Sequence, residues 1–325
     1  MPPRRILPDD PITTPRASGT GQNCEAEHGR LVVMTPISSP PVPRLTPLDI
    51  VMGVIVALTW GMGIVFSKAA IAHFPPILLM ALRFTLTAAV LVWFTRPPVG
   101  QLRALFGIAL IASALQYSLT FTGLKGLDAG VAALIVQLEV PFLTLVGAIA
   151  LKERPGWGKW AGIAIAFFGV WQISGAPQIA AAWGSVLLVV GGAFTWAIGQ
   201  AMIRNLRDIS GLTVTAWIAV MAAPQLYAAS FAIEKDQWQA IQSAGWVVWG
   251  TVLYLGLVMT AFGYFLWYTL IRRNPISMVA PFLLLLPVFA VLGGALFLGE
   301  RLSQQVLLGG GIVIAGVALI LFDRS

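Results

Sequence analysis

Long apolar stretches separated by short polar connectors follow one another from about residue 48 to residue 322. About 20 predominantly apolar residues are enough for a helix to cross the hydrocarbon core of a bilayer. The pattern therefore predicts an all-α integral membrane protein with ten transmembrane helices. Their expected positions are roughly 48–69, 77–95, 104–124, 129–151, 157–174, 183–203, 212–233, 246–271, 277–298 and 304–322.

Composition excludes a soluble globular protein. Of the 325 residues, 58% are hydrophobic and 10% are charged, whereas soluble domains carry about 25% charged residues. The formal net charge of +7 would suggest a nucleic-acid partner for a soluble chain, but the basic residues here are scattered in the connectors. The lipid bilayer is therefore the expected partner, and nucleic acid is not.

The chain has few side chains that could build a metal, cofactor or catalytic site. It contains one cysteine, Cys24, and two histidines, His28 and His73. A single cysteine forms neither an intramolecular disulfide nor a cysteine-based metal site. The glycine run at 309–311 lies inside an apolar stretch without the Lys or Asp of a phosphate loop. We expect no metal, no cofactor and no catalytic residue.

Residues 1–47 differ from the rest of the chain. They are rich in proline, mixed with Ser, Thr, Gly and charges of both signs, and such a composition cannot bury enough apolar surface to fold. We interpret this segment as a disordered cytoplasmic tail. Translation from Met34 instead of Met1 would remove most of it, and both starts stay open.

The distribution of Lys and Arg predicts how the chain lies in the membrane. With both termini inside, the inner connectors and flanks carry eleven Lys and Arg residues, against three in the outer ones. Basic residues collect on the cytoplasmic side of membrane proteins. We therefore expect a multi-pass protein of the cell inner (cytoplasmic) membrane with both termini in the cytoplasm.

An internal repeat divides the apolar part into two halves, 48–174 and 183–322. A shift of 147 residues aligns Tyr117 with Tyr264 and the motif 151–154 with 298–301, and a shift of 136 aligns Trp60 with Trp196. Each half contains five spans, an odd number, so the second half must have the opposite orientation in the membrane. The sequence thus predicts two inverted five-helix repeats, an architecture of secondary transporters.

Five short motifs follow one another along the apolar part of the chain, and the last is a second copy of the fourth. The motifs are Leu58-Thr59-Trp60-Gly61, Phe74-Pro75-Pro76, Ala81-Leu82-Arg83-Phe84, Leu138-Glu139 running to Glu153-Arg154, and Leu286-Pro287-Val288-Phe289 running to Gly299-Glu300-Arg301. Together they resemble those of the EamA-type transporters of the drug/metabolite transporter superfamily. The resemblance covers about residues 48–322 and implies ten helices, cytoplasmic termini and the export, uptake or exchange of small metabolites such as amino acids. Lys152-Glu153-Arg154 departs from the Gly-Glu-Arg that other members often show.

Two charged residues lie well inside predicted spans. Glu139 is near the middle of the fourth span and Arg83 is inside the second. A charge at that depth costs on the order of 3 kcal/mol, so each group needs a partner, and Glu139 could instead carry a proton. Glu139 is either a proton-coupling site or a structural partner of Arg83, and Arg83 either binds a substrate carboxylate or holds the bundle together. For Lys68, at a span end, we expect its ammonium to reach the headgroups.

Four aromatic residues complete the predicted substrate site, which comprises Trp60, Tyr117, Glu139, Trp196, Tyr264 and Arg83. Trp60 and Trp196 lie further from the span ends than the tryptophans that anchor at the interface, and repeat-related aromatics are expected near a shared axis where carriers bind solute. Gln137 precedes Glu139 by two residues, so the two point about 200° apart on a helix. If Glu139 lines the cavity, Gln137 should contact a neighbouring helix.

These observations predict a secondary transporter that exports a small, amino-acid-like metabolite by alternating access. If Glu139 is a proton-coupling site, protons are the coupling ion. Direction of transport rests on the resemblance alone. The alternatives are uptake or exchange of another small polar solute, and a lipid-modifying membrane enzyme, which would need acids, histidines or metal ligands clustered at one face. No sequence feature decides between a monomer and a homodimer.

Overall fold

The computed structural model describes residues 45–150, 155–206 and 209–323, and in these ranges it contains helices and no strands. Residues 1–44 of the predicted tail, with Cys24 and Met34, and the loop motif Lys152-Glu153-Arg154 lie outside the described residues. The helices are α1 Pro47–Ile71, α2 Pro76–Phe94, α3 Val99–Lys125, α4 Ala129–Ile149, α5 Trp157–Ser174, α6 Trp183–Arg204, α7 Gly211–Ile233, α8 Trp246–Arg273, α9 Ala280–Leu298 and α10 Gln304–Phe322.

Nine of these helices, within the described ranges, are long and apolar enough to cross a membrane. The exception is α5, which is helical where the sequence predicts a span but is less apolar because it includes Lys159 and Gln172. The helix ends agree with the predicted ones to within a few residues, and the largest difference is at α3, which begins with a short 3₁₀ turn at Val99. A helical membrane architecture is thus confirmed, with α5 the least apolar of the ten predicted spans.

Tryptophans near the helix ends face outward, as expected for interface anchors. All five that the sequence assigns to this role are exposed. They are Trp93, Trp157, Trp160, Trp183 and Trp246.

The start of α1 is fixed by its own cap and by the end of α8. Thr46 and Asp49 form a capping box, in which the Thr46 hydroxyl accepts from the Asp49 N–H and the Asp49 carboxylate accepts from the Thr46 N–H. Asp49 is buried and also lies 3.4 Å from the Nε of Arg273. This ion pair joins the first residues of α1 to the last residues of α8.

Glycines bring α5 and α10 into backbone contact. A Cβ on Gly162 would lie 2.6 Å from the carbonyl oxygen of Gly316, and one on Gly169 would lie 2.8 Å from that of Gly309. From the first contact to the second, the residue number rises in α5 and falls in α10. The two helices are therefore antiparallel. Small residues at such a crossing allow the close packing that stabilises membrane helix pairs.

The contact between α1 and α8 has a counterpart between α6 and α3. Gly63 of α1 packs against Met259 of α8, and Gly199 of α6 packs against Ala112 of α3. These four positions correspond through the shifts of 136 and 147 residues that align the two halves of the sequence. A glycine of one helix thus contacts the corresponding residue of the other helix in both halves.

Both α3 and α8 contain a π-helical segment in their middle, at Leu110–Leu115 and Tyr254–Phe262. The segments overlap under the shift of 147 residues. Segments of π-helix are rare and are often found at functional sites. Because such segments occur in both corresponding helices, the middle of α3 and the middle of α8 are candidate positions for a functional site.

Prolines interrupt α4 and α9. In α4 the helix breaks at Gln137–Leu138, and Val140 N–H bonds only three residues back, to the Gln137 carbonyl. Pro141 has no N–H to bond that carbonyl in the usual four-residue pattern. In α9, a 3₁₀ segment at Ala280–Leu284 precedes Pro287. Both helices are thus interrupted next to a proline.

We predict that Gly316→Ala destabilises the protein and that Gly311→Ala on the same helix does not. A Cβ on Gly316 would lie 2.6 Å from the Ala166 nitrogen and 2.7 Å from the Gly162 carbonyl oxygen, whereas nothing lies within 4 Å of one on Gly311. Overpacking of this kind typically costs about 1–3 kcal/mol, and removing a glycine from a helix otherwise favours folding. Thermal unfolding in detergent measures both variants. Equal melting temperatures would contradict the assigned α5–α10 contact.

Candidate functional site

Arg83 is completely buried in the middle of α2, with 1% of its surface exposed. Its Nε donates to the Thr260 hydroxyl of α8 at 2.9 Å, and one terminal nitrogen lies 3.5 Å from the Tyr117 hydroxyl of α3. The other terminal nitrogen lies 3.8 Å from the Met80 sulfur, a weak acceptor. In the described ranges no carboxylate forms an ion pair with Arg83. Its charge is therefore met by aromatic and hydroxyl groups.

Aromatic rings flank the Arg83 guanidinium. Its central carbon lies 4.9 Å from the ring centroid of Tyr117 and 5.5 Å from that of Phe84. The Tyr117 ring in turn contacts Phe84 at 5.1 Å and Phe121 at 5.6 Å. Cation–π contacts of this kind stabilise a desolvated cation by about 2 kcal/mol. They also fix the plane in which the guanidinium nitrogens lie.

A second aromatic group joins α1 to α8. The rings of Trp60 and Tyr264 are 5.2 Å apart, and those of Tyr264 and Tyr268 are stacked at 5.8 Å. The indole N–H of Trp60 donates to the carbonyl of Met259 at 3.0 Å. Since Met259 lies in the π-helical segment of α8, this bond satisfies a backbone group where the regular helix pattern is interrupted.

Tyr264 connects the two aromatic groups. Its hydroxyl lies within electrostatic range of Tyr117, Tyr268, Arg83 and Glu139. The structure therefore brings five of the six predicted site residues into one neighbourhood. Trp196 is half-buried in α6, and within the described residues it makes no ring contact or hydrogen bond to the other five.

Glu139 lies directly after the break in α4. Its side chain is half-buried, and among the residues that the structure describes it makes no hydrogen bond and no ion pair. The ion pair with Arg83 that the sequence left open is therefore not formed here. The pair is absent because Arg83 is held instead by Thr260, Tyr117 and Phe84.

Gln137 points away from Glu139, as expected from their spacing. Its side-chain amide donates to the Leu283 carbonyl of α9 at 3.5 Å. Leu283 precedes Pro287 by four residues, so its carbonyl is one that the proline leaves without a regular helix partner. The expected contact of Gln137 with a neighbouring helix is confirmed.

A cavity of about 860 Å³ opens where α1 and α3 end and α2 begins. None of the six predicted site residues lines it. Its polar lining includes Lys68, His73, Lys125, Glu234 and Asp236. Basic and acidic groups thus surround the mouth of the bundle at this end, away from the aromatic groups around Arg83.

Lys68 does not extend to the headgroups, contrary to our expectation. Its ammonium donates to the carbonyls of Leu124 and Lys125, at 3.0 Å each. These are among the last carbonyls of α3, which carry partial negative charge and have no partner within the helix. Lys68 therefore joins the end of α1 to the end of α3.

Two loop carboxylates at the same end cap helices of the other half. Glu234 accepts from Ile77 N–H at 2.8 Å and Leu78 N–H at 3.0 Å, at the start of α2. Glu300 accepts from Ala129 N–H at 2.7 Å and Gly130 N–H at 3.2 Å, at the start of α4. The sequence shows these residues only as dispersed acids, because the N–H groups that they bind are distant along the chain.

The described residues contain no group of three or more His, Cys, Asp or Glu side chains that could hold a metal ion. Glu234 and Glu300 are engaged in two separate helix caps.

Comparison with known proteins identifies a transporter family. The EamA-like transporter family matches residues 48–175 and 183–322. The chain is 31% identical to a "Probable amino-acid metabolite efflux pump" of Escherichia coli (strain K12), covering 84% of this chain and 95% of that one. It is 30% identical to a protein of the same name in Salmonella typhimurium, and 28% identical to an "Uncharacterized transporter" of Archaeoglobus fulgidus.

A solved crystal structure shares the fold. It superposes with a TM-score of 0.59 at 19% identity and covers 84% of this chain and 96% of that chain. At this identity the likeness concerns the fold alone. The family match and the relatives in Escherichia coli and Salmonella typhimurium make the chain a multi-pass membrane transporter and not an enzyme.

We predict that the net contribution of Glu300 to the stability of the folded protein falls as the pH rises. Burial raises the pKa of Glu300 above its ordinary value of 4.5, Asp128 raises it further, and the N–H groups of Ala129 and Gly130, with Lys68, act in the opposite direction. The folded state thus favours the protonated carboxyl, so stability contributed by Glu300 is present below pH 4.5 and is lost as the pH rises through its folded pKa.

The measurement compares Glu300→Gln with the unsubstituted protein, because the amide resembles the protonated carboxyl. The melting temperature of the variant in detergent should rise relative to that of the unsubstituted protein between acid and neutral pH. Asp236→Asn, an exposed carboxyl at the same end, controls for the general effect of losing a charge. A difference that does not change with pH would refute the prediction.

Proposed function

The chain belongs to the EamA-like transporter family, and we propose that it is a secondary transporter that exports a small, amino-acid-like metabolite across the cytoplasmic membrane by alternating access. The observation that carries the proposal is the site around Arg83, a buried cation that has no carboxylate partner among the described residues. A substrate carboxylate would supply the missing anion. Export and an amino-acid-like substrate also agree with the names of the relatives in E. coli and Salmonella typhimurium.

The proposed substrate site comprises Trp60, Tyr117, Glu139, Trp196, Tyr264 and Arg83. Its aromatic rings, with polar edges, suit a solute that has both apolar and polar parts. Trp196 belongs to the proposal through its correspondence with Trp60, since both follow a buried threonine whose hydroxyl bonds the carbonyl three residues earlier at 2.9 Å. Uptake or exchange of another small polar solute is the alternative that the same site would serve.

The proposed mechanism uses ten helices arranged as two inverted five-helix repeats. The antiparallel glycine contact of α5 with α10 supports this arrangement, because a two-fold axis would relate Gly162–Gly316 to Gly169–Gly309 through the 147-residue shift. The paired π-helical segments and the paired breaks in α4 and α9 support it further. Carriers of this class place discontinuous helices at the binding site in the middle of the bilayer.

Glu139 is the proposed proton-coupling residue. It follows the break in α4 and lies within electrostatic range of Tyr264, and in the described ranges it has no ion-pair partner. A carboxyl that is partly accessible and unpaired can exchange a proton during a transport cycle. The partners of the proposal are therefore the lipid bilayer, a small solute and protons, with monomer or homodimer left open.

We predict that Glu139→Gln retains folding and loses acceleration by a pH gradient. The amide keeps the size of the side chain but does not titrate. Inverted vesicles containing the protein are given a mixture of the twenty amino acids, and uptake of each is measured with and without a pH gradient. Asp236→Asn is the matched control. A melting temperature lowered by several degrees would instead indicate that Glu139 is a structural residue.

The same assay decides the broader proposal. Uptake into inverted vesicles corresponds to export from the cell, so at least one amino acid or close derivative should enter faster than into empty vesicles. Metabolite levels in medium and cytosol of cells with and without the gene provide a second measurement. If no amino acid or derivative moved in either assay, the proposed substrate class would be wrong.

We predict that residues 155 and 301 are reached from opposite sides of the membrane. They lie in the corresponding connectors before α5 and α10, which an inverted repeat places on opposite faces. Cys24→Ser removes the natural thiol, and Pro155→Cys or Arg301→Cys adds one at a time. A membrane-impermeant thiol reagent should label residue 301 in intact cells and residue 155 only after the membrane is opened. Labelling of both in intact cells would contradict the arrangement.

A further inference from the structure

We propose that Thr260 is a positioning residue that holds the Arg83 guanidinium so that its two terminal nitrogens receive a carboxylate. The inference rests on the proposed function, since it assigns the chemistry of one part of the same site. It adds a residue that the family motifs do not include. It also defines which edge of the guanidinium is free for a ligand.

The Thr260 hydroxyl is both a hydrogen-bond donor and a hydrogen-bond acceptor. It lies in the π-helical segment of α8, is buried, and donates to the Leu255 carbonyl five residues earlier at 2.8 Å. Its oxygen can then accept, and it accepts from Arg83 Nε at 2.9 Å. Because the proton of the hydroxyl is directed at Leu255, the lone pairs face Arg83. The π-helical segment therefore sets the position of the guanidinium.

The remaining edge of Arg83 is poorly satisfied. A guanidinium has five N–H donors, and Thr260 uses the one on Nε. The terminal nitrogens contact the Met80 sulfur at 3.8 Å and the Tyr117 hydroxyl at 3.5 Å, both at the outer limit for such contacts. A buried donor without a good acceptor costs free energy. The terminal edge is thus the part of Arg83 that an incoming acceptor would stabilise most.

The residues around the Arg83 guanidinium determine the direction from which a carboxylate can approach it. The rings of Tyr117 and Phe84 cover the guanidinium at 4.9 and 5.5 Å from its central carbon, and Thr260 occupies the Nε side. A carboxylate can pair with two parallel N–H groups of an arginine. Here that pairing would use the two terminal nitrogens, end-on. A neutral amide of the same shape lacks the charge and offers only one oxygen.

The nearest counterpart in the other half shows that this arrangement is specific to α8. The 147-residue shift places Ser113 at the position of Thr260, inside the π-helical segment of α3. Ser113 is also buried, yet it makes no hydrogen bond to an arginine in the described part of the chain. The polar position is thus repeated, whereas the cation that it holds occurs once.

The experiment observes Arg83 directly, without knowledge of the natural substrate. The protein is labelled with [¹⁵N]arginine and placed in nanodiscs, and the Nε–H signal of Arg83 is identified by its loss in Arg83→Lys. In the unsubstituted protein and in Thr260→Ser this signal should exchange slowly with water. In Thr260→Val, which keeps the shape and removes the hydroxyl, it should shift and exchange faster. Thr195→Val, another buried threonine bonded within its own helix, should leave it unchanged.

Acetate and acetamide then test the selectivity. Acetate should move the Arg83 signals in the unsubstituted protein and in Thr260→Ser, whereas acetamide at the same concentration should not. Thr260→Val should bind acetate at least about tenfold more weakly, as expected for the loss of a hydrogen bond that orients a charged group. Thr260→Ala provides a second variant without the hydroxyl in case Thr260→Val does not fold.

Several results would overturn the inference. An Arg83 signal unaffected by loss of the Thr260 hydroxyl would show that Thr260 does not position the guanidinium. Equal acetate binding by Thr260→Val, or equal responses to acetate and acetamide, would show that positioning has no role in selectivity. If all these results agree with expectation but the vesicles accumulate no amino acid, the Arg83 site stands and the proposed transport function fails.

Discussion

Inside a bilayer, an N–H or carbonyl group that a helix leaves unpaired has no water to bind. This constraint explains several contacts that link distant parts of the chain. The carbonyl of Leu283, which Pro287 leaves without its regular partner, accepts from the Gln137 amide. The first N–H groups of α2 and α4 are bound by Glu234 and Glu300. At these three places the unpaired groups are satisfied by a side chain from another helix or loop, and these side chains fix how the helices meet.

The same constraint applies more severely to a charge. In the described ranges Arg83 has no carboxylate partner, so the stabilisation of its guanidinium comes from two aromatic faces and the Thr260 hydroxyl. These contacts involve α2, α3 and α8 together. Removal of any one of them would leave a buried cation less well satisfied, which is why the packing of these three helices and the chemistry of the site depend on each other. Under the proposed function, a substrate carboxylate improves an arrangement that is stable but incomplete.

The helices could be predicted from sequence because apolar length is a local property. The bounds of the spans and the contact of Gln137 with a neighbouring helix follow from spacing along one helix. Whether Arg83 pairs with Glu139 could not be predicted in this way. The answer depends on which side chains of α3 and α8 lie beside Arg83. The expectation for Lys68 was wrong for a similar reason: the end of α3 lies beside it, 56 residues away in sequence. Thr260 was missed because one hydroxyl in an apolar span carries no pattern, although its alignment with Ser113 marks a repeated polar position.

The repeated features and the single-copy features of this protein have different physical roles. Glycine contacts, the π-helical segments of α3 and α8, proline breaks and the buried threonines before Trp60 and Trp196 occur in pairs, and all of them govern how closely helices pack or where they bend. The charges inside the spans do not follow this rule, since Glu139 aligns with Leu286 and Arg83 is held by α8 without an equivalent pair around Ser113. A framework with two equivalent halves can exchange two conformations of similar energy, which alternating access requires. Under the proposed function, a charged site that belongs to one half would make those conformations respond differently to solute and proton, which is the difference that a coupled carrier needs.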